Sequence, residues 1–164
     1  NYLKINKSNN ITHKINPIIA FVFLILIFGL IAIGAFVSGM DAGKIYNSWP
    51  LMGNSFFPDD NDFISLFNFA AFSEPSLVQF MHRNLAYIIG IFYLLIFFTI
   101  YKKKMYGLYN SINILGFFIF LLIFFGILTI VHGAQIYLSS MHQLSSIFLV
   151  SSSIYFLYIN KKIS

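Results

Sequence analysis

The sequence has no cysteine, which excludes disulfides, thiolate metal sites and thiol catalysis. Charge is scarce as well: 9% of the 164 residues are Asp, Glu, Lys or Arg, and Arg83 is the single arginine. The ten cations outnumber the five acids, but they form no basic face. They sit in short clusters at the ends of apolar runs, so nucleic acid is a poor partner despite the net charge of +5. The start lacks the charged, apolar, small-residue order of a signal peptide and begins at Asn1, not methionine, so a fragment of a longer chain is expected.

What is abundant is apolar surface. The chain is 59% hydrophobic and 20% aromatic, with a mean hydropathy of +0.81, which places it among all-α integral membrane proteins. Residues 1–16 are polar and read as a cytoplasmic surface segment, in which His13 is a solvated histidine. Asn16-Pro17 is a helix-start signal. Residues 18–37 then run uncharged for twenty residues, about 30 Å of helix and the thickness of a hydrocarbon core. Further spans are expected from Pro75 or Ser76 to Tyr101, from Ile112 to Val131, and from about Ser139 to Ile159. The second is stopped by Lys102 to Lys104 and the fourth by Lys161 and Lys162. Residues 17–164 thus read as an antiparallel four-helix transmembrane bundle.

A long outer loop, 38–76, joins the first two spans and holds all five acids. Within it Phe63, Leu66, Phe67 and Ala70 have helical spacing, which suggests a short amphipathic helix on the bilayer surface; a plain packed loop is the alternative. The segments 1–16, 102–111 and 160–164 carry eight cations and no acid. By the positive-inside rule both termini are cytoplasmic in a bacterial plasma membrane, or on the matrix side of a mitochondrial inner membrane.

Ionisable side chains are costly in lipid and tend to face a partner inside the bundle. His82, with Arg83, lies in the first turns of the second span, and His142 lies at the start of the fourth. A hairpin repeat relates them: Phe28-Gly29-Leu30 precedes Met81-His82, and Phe125-Gly126-Ile127 precedes Met141-His142. Glycine and histidine are 53 residues apart in the first hairpin and 16 in the second, the first having the longer loop. Two histidines at one depth on helices running the same way can ligate one iron from both sides, as in a b-type cytochrome. The His82 face continues through Ala86, Ile89 and Gly90, and the His142 face through Ser145, Ser146, Leu149 and Ser153. These small residues leave space for a flat macrocycle, with Gly29 and Gly126 admitting its edges; close helix packing would use them equally well.

Arg83 and Lys44 are the two cations on the outer side and could meet heme propionates. Alternatively Arg83 snorkels or pairs with Glu74 or an aspartate. His132, Trp49, Tyr46 and Tyr137 read as interfacial residues. Zinc would need a further ligand, such as His132, Asp41 or Glu74, and no HExxH spacing is present.

SGMDAGKIYNSWPLM (38–52), LVQFMHRNLAY (77–87) and MHQ (141–143) together resemble the C-terminal half of the heme A synthase family, of the proteobacterial and mitochondrial type, in order and spacing. The resemblance implies one half of a pseudo-symmetric eight-helix enzyme that oxidises a methyl group of heme O to the formyl group of heme A for terminal oxidases. It implies heme b as cofactor, His82 and His142 as its axial ligands, and an electron-transfer role for this half. The family's N-terminal half, with the substrate histidines and a catalytic glutamate, has no counterpart in these residues, so no catalytic residue is assigned here. Heme O would be reached through that half, and heme O synthase and oxidase assembly factors would be partners. A self-standing b-type cytochrome or quinone-linked subunit would share the heme but not the substrate. A cofactor-free transporter or assembly protein would show no heme spectrum.

Overall fold

In a computed structural model of the protein, residues 14–162 are described. The expected cytoplasmic segment up to His13 therefore lies outside the described residues. Four long helices carry the fold: α1 (Pro17–Gly39), α2 (Pro75–Lys102), α3 (Tyr109–Val131) and α4 (Ile136–Lys162), and no strand is present among the described residues. Each is longer than its uncharged run, because the helix continues into flanking polar residues before its caps.

The caps follow from sequence. The Asn16 side chain accepts from the Ile18 amide at 3.0 Å, with Pro17 at the first helical position. Pro75 likewise opens α2, although Glu74 ahead of it makes no side-chain cap. At its far end Lys104 adopts a left-handed φ of 53° and turns the chain through a short 3-10 helix, Tyr106–Leu108, into α3. Gly133 (φ 69°) and Ala134 (φ 56°) make the tight turn between α3 and α4.

Helices α1, α2 and α3 are long and apolar enough to cross a membrane, which makes this a multi-pass membrane protein. Helix α4 has 27 residues but is rich in serine. Several of its hydroxyls are satisfied within the helix: Ser145 donates to the Met141 carbonyl at 2.8 Å, Ser151 to Ile147 at 2.9 Å and Ser152 to Leu149 at 2.9 Å, whereas that of Ser153 is buried without a partner.

One core joins the four helices. Phe23, Ile27 and Leu30 of α1 recur at helical spacing and meet Ile89, Ile96 and Ile100 of α2, Ile112, Leu115, Ile119 and Leu122 of α3, and Leu149 and Phe156 of α4. Helix α3 packs along α4, α1 along α2, and α1 also touches α4. Many large apolar residues outside this core, among them Phe21, Ile91, Phe98, Phe117 and Ile147, are exposed, as expected of faces turned to lipid. Asn160, fully buried, clamps the chain ahead of α1: its side chain accepts from the Ile15 amide and donates to the Ile15 carbonyl, both at 2.9 Å.

The connection from α1 to α2 departs from the expected amphipathic helix. Two 3-10 helices, Phe63–Phe67 and Phe69–Ser73, flank Asn68, whose backbone is extended and whose side chain accepts from the Ala70 amide at 3.1 Å. Asn68 offers the backbone a local partner in place of a continued helix. The loop is tied to α2 by a hydrogen bond from Asn61 to the Ser76 hydroxyl at 2.8 Å.

Candidate functional site

Helix α2 brings His82 in about two turns from its start, and α4 brings His142 in to a similar distance from its own. The two imidazoles face each other with ring centroids 6.3 Å apart and planes at 81°. Each ring lies against a glycine of the neighbouring helix. A Cβ at Gly34 would sit 3.1 Å from Cε1 of His82, and a Cβ at Gly126 would sit 3.0 Å from Cε1 of His142.

Gly126 thus stands where expected and Gly29 does not. A Cβ at Gly29 would meet only Leu85, at 3.9 Å. The Phe-Gly pairing sets the two hairpins out of register by five residues. The stretches that occupy matching places are Leu30-Ile31-Ala32-Ile33-Gly34 and Leu122-Ile123-Phe124-Phe125-Gly126.

Nδ1 of His142 lies 3.0 Å from the Leu122 carbonyl. A carbonyl only accepts, so that nitrogen carries the hydrogen and Nε2 keeps its lone pair for another partner. On the other ring the Leu30 carbonyl faces His82, but Nδ1 of His82 is buried without a hydrogen-bond partner.

A cavity of about 780 Å³ surrounds the pair, within the range that holds a cofactor. Its inner walls are apolar, with Ile27, Leu30, Ile123, Ile127 and Leu149. Of the small residues on the histidine faces, Ala86 and Ser146 line it, whereas Ser145 is turned to the Met141 carbonyl.

Arg83 is only 5% exposed, yet it meets no carboxylate. Its guanidinium donates to the carbonyls of Ser48 (2.9 Å), Leu51 (3.2 Å) and Tyr46 (2.8 Å), all in the outer loop. Neither snorkelling nor an ion pair with Glu74 describes it: Arg83 pins the outer loop to α2. Gln79 adds a bond to the Tyr46 carbonyl at 3.2 Å, and Asn47 reaches the Ile130 carbonyl of α3 at 3.0 Å. Tyr46 donates to Asp60 at 3.1 Å; burial and then the nearby Asp60 carboxylate raise its phenol above the usual range, so it remains a donor.

Lys44 lines the cavity but pairs with Asp41 at 2.8 Å. His132 is exposed at the end of α3, its Nδ1 2.9 Å from the Leu128 carbonyl, and does not join the pair.

Replacing Arg83 with methionine is expected to release the loop. The Tyr46 and Leu51 carbonyls keep Gln79 and the Ser48 hydroxyl as donors, but the Ser48 carbonyl loses its donor, and a buried group left unpaired costs about 1–3 kcal/mol. Amide hydrogen exchange should then rise over residues 46–51 while α3 and α4 keep their protection. Unchanged protection of the loop would show that Arg83 is not what holds it.

Sequence reasoning missed Gln79, Tyr87 and Thr129, which also line the cavity. For Gln79 a signal was available, since it sits three residues before His82 on the same helical face.

The arrangement fits an iron porphyrin. Two imidazoles bonded to one metal from opposite sides at ~2 Å would hold their centroids about 6 Å apart. The unpartnered Nδ1 of His82, the glycine cradles and the apolar walls are consistent with that group. His82 and His142 would hold the iron.

A family model described as cytochrome oxidase assembly protein matches residues 4–154. A protein named heme A synthase from Pelagibacter ubique is 40% identical over 158 residues, which are 96% of this chain and 46% of that protein. Proteins of the same name from Rickettsia bellii (34% over 145 residues; 87% of this chain, 42% of that protein) and Flavobacterium johnsoniae (35% over 131 residues; 76% and 38%) are also similar. The chain spans less than half the length of these relatives. No solved structure matches it.

Proposed function

The chain belongs to the cytochrome oxidase assembly protein family, and from that premise we propose that it is the heme b-binding C-terminal half of a heme A synthase. The observation that carries this is the His82–His142 pair, 6.3 Å between ring centroids across a largely apolar cavity. The proposed architecture is an antiparallel four-helix bundle over residues 17–164, with α4 as a fourth span and residues 1–16 on the cytoplasmic side. The matching Leu30/Gly34 and Leu122/Gly126 stretches support a pseudo-symmetric fold. The lysines at 102–104 and 161–162 support cytoplasmic termini.

His82 and His142 would hold the heme, which when bound would supply one-electron redox chemistry. With His82 and His142 both given to the iron, the group would supply electron transfer and not attack on substrate. The Leu122 carbonyl fixes the His142 tautomer and the two glycines set ring orientation. Arg83 holds the outer loop against the start of α2. The oxidation of heme O would occur in the other half of the full-length protein, with heme O synthase and oxidase assembly factors as partners.

The test is made in the full-length protein. Substituting His82 or His142 should leave the polypeptide in the membrane but stop the appearance of heme A in extracted pigments. Continued heme A production would remove this half from the electron path, and a chain that binds heme b without any link to heme A would be a self-standing b-type cytochrome.

A further inference from the structure

The loop between α1 and α2 carries an apolar patch that the rest of the chain leaves uncovered. Residues 63–73 contain no charged side chain, and within them Ile64, Phe67 and Phe69 are 81%, 81% and 88% exposed, with Phe63 at 60%. Large apolar side chains clustered and exposed to this degree are ordinary on a face turned to lipid and rare on one turned to water. Asp62 and Glu74, both exposed, bound the patch on its two sides.

Position decides what covers it. Phe72 packs on Phe36, one turn before the end of α1, with ring centroids 6.0 Å apart, and Phe69 packs on Phe72 at 5.8 Å. From the other helix, Phe80 of α2 meets Phe57 at 5.0 Å, Phe57 meets Phe63 at 5.7 Å, and Phe63 meets Phe67 at 5.8 Å. The patch therefore joins the ends of two helices that are long and apolar enough to cross a membrane. Phe36 is itself exposed, so the loop aromatics extend the lipid-facing surface of α1 past the end of the helix.

The backbone suits that place. The amides of Ser65, Asn68, Ala71 and Glu74 each donate to the carbonyl three residues earlier, and the Asn68 side chain accepts from the Ala70 amide. A segment paired in this way can leave bulk water for the membrane interface, while its remaining unpaired groups keep it out of the hydrocarbon core. Charge narrows the chemistry further. Asp59, Asp60, Asp62 and Glu74 flank the patch, with no cation among residues 45–82 to draw an anionic headgroup.

We infer that residues 63–73 are a membrane-surface anchor, in which Phe63, Ile64, Phe67 and Phe69 insert into the boundary between headgroups and acyl chains, about 5–10 Å deep. The occupant of the patch is phospholipid, recognised by its apolar chains and not by its headgroup charge. The long loop is then held twice, by Arg83 inside the protein and by lipid beyond it. No heme is needed for this contact.

The test places a nitroxide label at Phe67→Cys or at Phe69→Cys, one in each 3-10 helix, in full-length protein that holds no other thiol. Asn54→Cys, in the exposed turn between Met52 and Ser55, is the aqueous reference. Each variant is reconstituted in phosphatidylcholine vesicles, after its thermal midpoint in detergent has matched that of the unsubstituted protein. Power-saturation electron paramagnetic resonance then compares collisions with oxygen, which concentrates in the bilayer, and with a water-soluble nickel chelate. The labels at 67 and 69 should collide more with oxygen than with nickel, the reverse of the label at 54. A label at 67 or 69 that meets nickel as freely as the one at 54 puts the patch in water and overturns the anchor. One that neither reagent reaches overturns it too, since protein, from a second copy or another partner, would then cover the patch.

Discussion

Alanine at His82 or at His142 is expected to abolish the low-spin heme spectrum of the purified chain. The two rings approach from different helices, so neither neighbour can replace the other's lone pair. The other imidazole among the described residues, His132, is exposed at the end of α3 with Nδ1 against its own helix. His132→Ala should leave the spectrum unchanged, which makes it the control. A bound group also stabilises the fold that holds it: at a thousandfold above its dissociation constant the linkage is worth about 4 kcal/mol. Loss of an axial ligand should therefore lower the thermal midpoint in detergent as well as the Soret intensity. A single variant that kept a normal six-coordinate spectrum would remove that histidine from the assignment.

Nearly as large an effect is expected from glycine positions that carry no chemistry. Exposed glycine-to-alanine changes within a helix stabilise it by up to about 1 kcal/mol. At Gly126 the added Cβ would stand 3.0 Å from the His142 ring, and at Gly34 it would stand 3.1 Å from the His82 ring. Each ring must then give way, and the Leu122 carbonyl that orients His142 no longer meets Nδ1 at the same angle. Disturbing the groups that orient a metal ligand typically costs 10- to 100-fold in affinity. Gly126→Val and Gly34→Val are accordingly expected to lose heme by at least that factor, with Gly126→Ala intermediate. Gly29→Ala supplies the contrast, because its Cβ would meet only Leu85 at an ordinary 3.9 Å. If all the alanine variants gained stability and held heme normally, the glycines would be mere packing residues.

The sequence exposes some of these features and hides others for physical reasons. Four long apolar or serine-rich runs and their lysine stops were legible because a bilayer imposes length and end chemistry on a helix. The histidine pair was legible because ionisable groups are rare in such helices and therefore conspicuous. The glycine partner of His82 was not: Gly29 and Gly34 both lie on α1, and only helix packing decides which reaches the ring. Arg83 was conspicuous, but its partners are three backbone carbonyls, and a carbonyl leaves no mark in sequence. The helix expected near Phe63 failed at Asn68, where a side-chain bond to the Ala70 amide outweighs the apolar period. Thr129 and Tyr87 look like ordinary membrane-helix residues until their hydroxyls are found buried and unpaired.

Electron paramagnetic resonance of the oxidised chain, purified from heme-replete cells, tests the central claim most directly. One iron held between His82 and His142 predicts a stoichiometric low-spin ferric signal with bis-imidazole parameters, lost in either alanine variant. A high-spin signal, or a chain that carries no heme at all, would contradict it.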